Sequence, residues 1–241
     1  MGLEKGKGEG NMKITYIGHS GFLAELEKTV LLFDYVQGEI PEIDRGKKWM
    51  VFASHRHQDH FCPDIFALAE KYPITYVLSS DILSRRVPEE RQEQTVRLKA
   101  GECWEDEGVF VETLKSTDEG VAFLVQAEGQ VIYHAGDLNN WHWELETEAW
   151  NRKMEVNYQK FLEPLRGREI DAAFVVLDPR QGNSYALGMD YFLQTAKAKK
   201  VYPMHCWEEY SVIERWMGEH MDSPYQENMV EIKGRGEVFW Q

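Results

Sequence analysis

Cysteine is scarce in this chain, with three residues in 241 (Cys62, Cys103 and Cys206) and no CxxC spacing, which argues against a disulfide framework. Long apolar runs are missing too. None approaches the roughly 20 residues needed to span a bilayer, so no membrane partner is expected. Residues 1–11 are rich in Gly and Lys and lack the apolar core of a secretory signal. They read as a short flexible tail ahead of a single domain over 12–241, and the expected location is cytoplasmic. Basic residues are outnumbered, 27 Lys and Arg against 41 Asp and Glu, for a net charge of −14. Such a chain repels polyanions at long range and is a poor general nucleic-acid binder, although a local metal cluster can still attract a phosphate. No GxGxxG, P-loop or GxSxG element is present, which leaves dinucleotide, nucleotide-phosphate and serine-hydrolase readings without support.

What the chain does contain is short β-like runs in two groups, at 13–17, 21–26, 30–33, 49–53 and 75–78, then at 109–114, 121–127 and 131–134. The second half mixes helix and strand. An amphipathic stretch over 146–166 reads as helix, as do 189–197 and 208–217, while 172–177 and 200–202 read as buried strands. Repeats and long linkers are absent. Two strand groups, each followed by helices, suggest two sheets packed face to face with helices outside. Periodicity alone does not separate this from an ordinary three-layer α/β fold.

The strongest signal is SHRHQDH at 54–60, between a buried strand and Pro63, a residue suited to the first position of a helix that Pro73 then stops. Imidazoles two residues apart, His55 and His57, can converge on one ion, while Asp59 and His60 turn towards a second. Neutral imidazole and carboxylate are suitable ligands for zinc and similar divalent ions.

HxHxDH at a strand–helix junction resembles the signature of the metallo-β-lactamase superfamily, and other segments agree in order: ITYIGHSGFL at 14–23, LLFD at 31–34, IYHAGD at 132–137 and YPMH at 202–205. The likeness is nearest to the small, lid-free branch that includes ascorbate-phosphate lactonase-like proteins. It implies an α/β fold arranged as a four-layer αββα sandwich. It also implies two divalent ions, zinc first with manganese or iron as alternatives, which share Asp137 and a water, with His205 as a further ligand. The function implied is hydrolysis of an ester-like bond of a small molecule, a lactone or a phosphodiester, by a hydroxide that the ions activate, with Asp59 orienting the water or shuttling its proton. A degenerate metal-binding or ligand-sensing protein is the rival, and a di-iron redox enzyme ranks last because His57 stands where that pattern places a carboxylate. Oligomeric state is open, and a homo-oligomer is compatible with the sequence.

One element departs from the pattern. The family supplies another His between the first cluster and Asp137, yet no His lies between His60 and His134. The segment STDEG at 116–120 should carry it, so Asp118 is the substitute expected, with Thr117 or a water as alternatives, or else the segment is a simple turn. An anionic Asp118 lowers the cluster's charge by about one relative to a neutral His, which weakens its Lewis acidity or favours a harder ion. Asp34 is expected behind the ligands, accepting the free N–H of a ligand imidazole, or as a capping residue. His19, Trp141, His142 and Arg180 are expected around the substrate. His19 and Arg180 have packed or salt-bridged alternatives, the latter with Asp178. His134 reads as structural, and Cys206 as a small buried residue.

Overall fold

The computed structural model describes residues 12–241, so the tail expected over 1–11 lies outside the described residues. Thirteen strands form two sheets. The first comprises β1 (Lys13–Gly18), β2 (Gly21–Glu25), β3 (Thr29–Phe33), β4 (Lys48–Ala53), β5 (Ile74–Ser79) and β6 (Thr95–Leu98), closed at its far edge by β13 (Val238–Trp240). Its order is β13-β1-β2-β3-β4-β5-β6. The second comprises β7 (Cys103–Asp106), β8 (Val109–Lys115), β9 (Val121–Ala127), β10 (Gln130–His134), β11 (Glu169–Val176) and β12 (Lys197–Met204), in the order β12-β11-β10-β9-β8-β7.

Both faces of the central strands are buried, which is why their sequences are continuous apolar runs. In β4, Met50 and Phe52 enter the core between the sheets, where Phe52 meets Phe123 of β9 edge-on at 5.2 Å. Trp49, Val51 and Ala53 face the other way and join Phe61, Ile65 and Phe66 in an outer cluster. That outer layer is a 3-10 helix, Pro63–Glu70, rather than the α-helix that Pro63 and Pro73 suggested. On the far face, α1 (Glu148–Leu162) and α2 (Leu187–Thr195) cover the second sheet, with Phe192 stacked on Tyr133 at 5.4 Å. A third helix, α3 (Ser211–Glu219), buries Ile213 and Trp216. The result is the sandwich that the sequence implied. Among the described residues, no helix is long and apolar enough to cross a membrane.

Three strands were not foreseen. β7 alternates exposed and half-buried residues and carries charge, β6 is short and half polar, and β13 has three residues. Each lies at a sheet edge and has only three or four residues, too few for a periodic signal to stand out.

Candidate metal centre

Strands β3, β4, β5 and β6 run parallel in one sheet, and β10, β11 and β12 in the other. In open parallel sheets the residues just past the carboxyl ends of strands line the functional crevice. Here those residues are Asp34 after β3, Ser54 and His55 after β4, Asp137 after β10, Asp178 after β11 and His205 after β12. Segments far apart in sequence thus meet at one end of the sandwich.

Two groups of side chains present ligand atoms within 4.8 Å of one another: His55, His57 and Asp137, and His19, Asp59, His60 and His205. Asp137 stands between them. Its Oδ2 lies 3.4 Å from His55 Nε2, while its Oδ1 lies 3.1 Å from His60 Nε2 and 3.5 Å from His205 Nε2.

The hydrogen bonds behind the rings fix which nitrogen faces inward. Asp34 Oδ2 sits 2.6 Å from His60 Nδ1, and Asp178 Oδ2 sits 2.9 Å from His205 Nδ1. An ionised carboxylate only accepts, so each Nδ1 donates and each Nε2 of the neutral ring is left as a bare lone pair. Ser54 extends this logic. Its hydroxyl donates to Asp34 Oδ2 at 2.6 Å and so must accept from His55 Nδ1 at 3.0 Å, which turns the His55 lone pair inward as well. The buried Nε2 atoms of His19, His60 and His205 and Oδ1 of Asp137 make no hydrogen bond at all. At His60, His205 and Asp137 acceptors face acceptors, an arrangement that is costly unless a cation lies between them. The residues present therefore fit a bound metal cation.

The electrostatics agree. Burial raises the carboxyl pKa of Asp137, but His60, His205 and His55 override it and hold the group well below the usual carboxylate range. Asp59 is likewise held low, against its burial, by His19 and His60. Burial opposes charge on His60, yet Asp137 and Asp34 hold its pKa well above normal, so without metal a proton takes the cation's place. His55 is pushed down to about 4, chiefly by burial and by the neighbouring His60.

Asp118, the substitute expected for the missing His, lies at the rim. Its Oδ2 is 3.8 Å from His57 Nδ1, it stands outside both tight groups, and burial with the nearby Asp137 raises its pKa. His134 donates through Nε2 to the Ser20 carbonyl at 2.8 Å and accepts from Gly136 N–H through Nδ1, a structural position.

A cavity of about 350 Å³ opens beside the cluster, walled by Trp141, Trp143, Trp150, Met154 and Arg180. Trp141 and Trp143 stack at 5.8 Å, and Trp141 Nε1 donates to the Asp137 carbonyl at 2.9 Å. His142 corrects an expectation. Its two neighbours supply the wall, and His142 itself lines neither this cavity nor the second one. Arg180 is clamped bidentately to Asp178, Nε donating to Oδ1 at 3.0 Å and Nη2 to Oδ2 at 2.6 Å, with its guanidinium 4.4 Å from the Trp207 ring. A second hollow of about 430 Å³, lined by His19, Trp207 and Arg235, lies on the other side of Asp59, which borders both.

Sequence reasoning missed two features. Asp178 appeared only as a partner for Arg180, although its place after a buried strand matches that of Asp34. His19 was expected at the substrate; it lines the second hollow, and its ring also lies 4.2 Å from that of His205 among the possible ligands. Its backbone has φ 51, a left-handed turn that sequence does not announce.

Comparison with known proteins adds the following. A family model described as a Beta-lactamase superfamily domain matches residues 13–152. A UPF0173 metal-dependent hydrolase of Opitutus terrae is 32% identical over 146 residues, 52% of this chain and 63% of the relative. One from Korarchaeum cryptofilum is 30% identical over 139 residues, 52% and 60% of the two chains. The chain thus spans about three fifths of the length of these curated relatives. A third, from Pyrobaculum calidifontis, is 25% identical over 212 residues, 80% of this chain and 84% of the relative. Among solved structures, Igni18, a metallo hydrolase from Ignicoccus hospitalis, superposes with a TM-score of 0.64 at 16% identity, covering 96% of this chain and 98% of that one. CmlA, a diiron beta-hydroxylase from Streptomyces venezuelae, gives 0.62 at 12% identity, covering 98% and 55%. At such identities the structural likeness speaks for the fold alone.

Proposed function

The chain belongs to the metallo-β-lactamase superfamily, and from that premise we propose that it is a metal-dependent hydrolase acting on an ester-like bond of a small molecule. A lactone or other cyclic ester is the first choice of substrate and a phosphodiester the second. The observation that carries the reading is the division of Asp137, one oxygen towards His55 and the other towards His60 and His205. In this reading His55 and His57 would hold one ion, with Asp118 within reach at the rim. Asp59, His60 and His205 would hold the other, and Asp137 would be available to both.

When bound, such a pair lowers the pKa of a water towards neutrality and polarises the oxygen of the bond to be cut, with zinc the first candidate and manganese or iron the alternatives. The protein's own contributions are positional. Asp34, Ser54 and Asp178 hold three imidazoles in the ligating tautomer before any metal arrives. Asp59 stays ionised and borders both hollows, which suits it to orient the attacking water or accept its proton. The indole wall excludes water and receives an apolar or flat substrate body. Arg180 is the one Lys or Arg among the described residues lining that cavity, and it is already neutralised by Asp178. A weakly charged ester therefore suits the pocket better than a polyanion.

The test is a panel of lactones, aryl esters and phosphodiesters assayed with zinc-, manganese- and iron-reconstituted protein. His57→Ala and Asp137→Ala should each retain below about 1% of wild-type turnover, the loss expected when several kcal/mol of charge stabilisation goes. Unchanged turnover in either variant refutes the assignment. At most one bound equivalent, with no turnover on the panel, favours the metal-binding or sensing reading instead.

A further inference from the structure

The two groups of ligand atoms are not equivalent. On the side of His60 and His205, both rings are buried and pinned from behind by buried carboxylates at 2.6 and 2.9 Å, so the nitrogen that each turns inward is fixed before a cation arrives. On the side of His55 and His57, only His55 is pinned. The His57 side chain is 42% exposed, and its Nε2 reaches no closer than 3.5 Å to Glu119 Oε2. It can present Nδ1–H to His55 Nε2, 3.0 Å away, and so satisfy that lone pair without a metal. Four unpartnered buried atoms fall on the first side, Nε2 of His19, His60 and His205 and Oδ1 of Asp137, against one beside the second, Glu119 Oε2.

His19 belongs to that set by construction. Its left-handed backbone, φ 51, is a conformation that a non-glycine residue adopts at a cost. Its carbonyl accepts from the His205 N–H at 3.1 Å, which ties the turn between β1 and β2 to the end of β12. Its Nε2 lies 3.4 Å from Asp59 Oδ2, and its ring lies 5.6 Å from that of His60 and 4.7 Å from Trp207. A strained turn that delivers a buried, unsatisfied nitrogen to two imidazoles and a carboxylate is a ligand position.

We infer that His19 is a direct metal ligand, and that the site of His19, Asp59, His60 and His205 loads first and holds its cation more tightly than the site of His55 and His57. The inference rests on reading the cluster as a divalent-cation centre, and it extends that reading to a loading order and one further ligand. Preorganisation supplies the difference: at the first site the orienting partners are in place, and at the second one imidazole must still be immobilised.

Metal-free protein titrated with Zn(II) by calorimetry and with Co(II) by absorption tests this. Wild type should take up one tight equivalent and then a second at least about tenfold weaker. His57→Ala should keep the tight equivalent with its Co(II) spectrum and lose the weak one. His19→Gly, in which glycine takes the left-handed turn without strain, should weaken the tight equivalent by at least about tenfold, the low end of what even an outer partner of a metal ligand is worth. Added imidazole should restore much of that loss in His19→Gly while leaving wild type unmoved, a response that a purely structural role would not give. His19→Asn, which also tolerates the turn, should match His19→Gly and provides a second variant should the first fold poorly. Loss of the tight equivalent in His57→Ala, or its retention at full affinity in both His19 variants, overturns the inference. These readouts need no substrate. Two-step binding in a protein inactive on every ester would sink the hydrolase reading and leave the loading order standing.

Discussion

Gly120 shows how much a single backbone position governs the centre. It has φ +69, and a Cβ built there would lie 2.0 Å from the Ser54 carbonyl oxygen and 2.5 Å from His55 Cβ. The loop at 116–120 closes onto the HxHxDH loop because nothing projects from this residue, and Val121 N–H then donates to Ser54 at 2.9 Å. Gly120→Ala should therefore cost about 2 kcal/mol from steric and backbone strain. That corresponds to a Tm lower by roughly 4–8 °C for a chain of this size, with metal loss from the His55 side, read by thermal melting and metal analysis. Asp178→Asn makes a complementary test. An amide can donate to His205 Nδ1 and leave the proton on Nε2, so metal affinity should fall about 10–100-fold with the fold intact, measured by competition with a chelator. The HxHxDH cluster was legible because its spacing is local. Asp178 and His19 were not, since their roles depend on contacts across long sequence separations and on a turn conformation that residue type does not encode.

At the scale of elements, continuous apolar strands such as β3, β4 and β9 were readable because burial on both faces leaves one message at every position. The edge strands β6, β7 and β13 carry weaker patterns, and the segment after Pro63 tightened into a 3-10 helix that proline placement alone does not distinguish from an α-helix. Helix α1 has a further part to play. Thr147 caps it, its Oγ1 accepting from Trp150 N–H at 3.2 Å, and Trp150 and Met154 on its first turns wall the substrate cavity. Thr147→Ala should cost about 1 kcal/mol, a Tm shift of roughly 2–4 °C, while leaving the affinity for the first metal equivalent unchanged. A loss of metal from this variant would show that the wall and the centre are mechanically coupled.

For the molecule as a whole, the centre works as a clasp between the sheets: His55, His57, Asp59 and His60 follow the first sheet, and Asp137 and His205 follow the second. Without cations, a proton on His60 is all that stands between these groups across that join. Chelation should therefore lower the melting temperature. A ligand at a hundredfold excess over its Kd adds about 2.7 kcal/mol, or roughly 5–10 °C here, and scanning fluorimetry with and without chelator reads it. An identical Tm in both states would mean that the sheets hold together without help from the centre.

His205 is the last of these side chains to be synthesised. As the polypeptide grows, the HxHxDH loop and then Asp137 emerge while one imidazole of the buried seat has yet to be made. The strand that ends in it must then dock beside β11 before Asp178 can turn its ring. The complete seat thus exists only once β12 has docked, and in the proposed reading the choice among competing ions would fall to a folded pocket and not to a loose histidine-rich peptide.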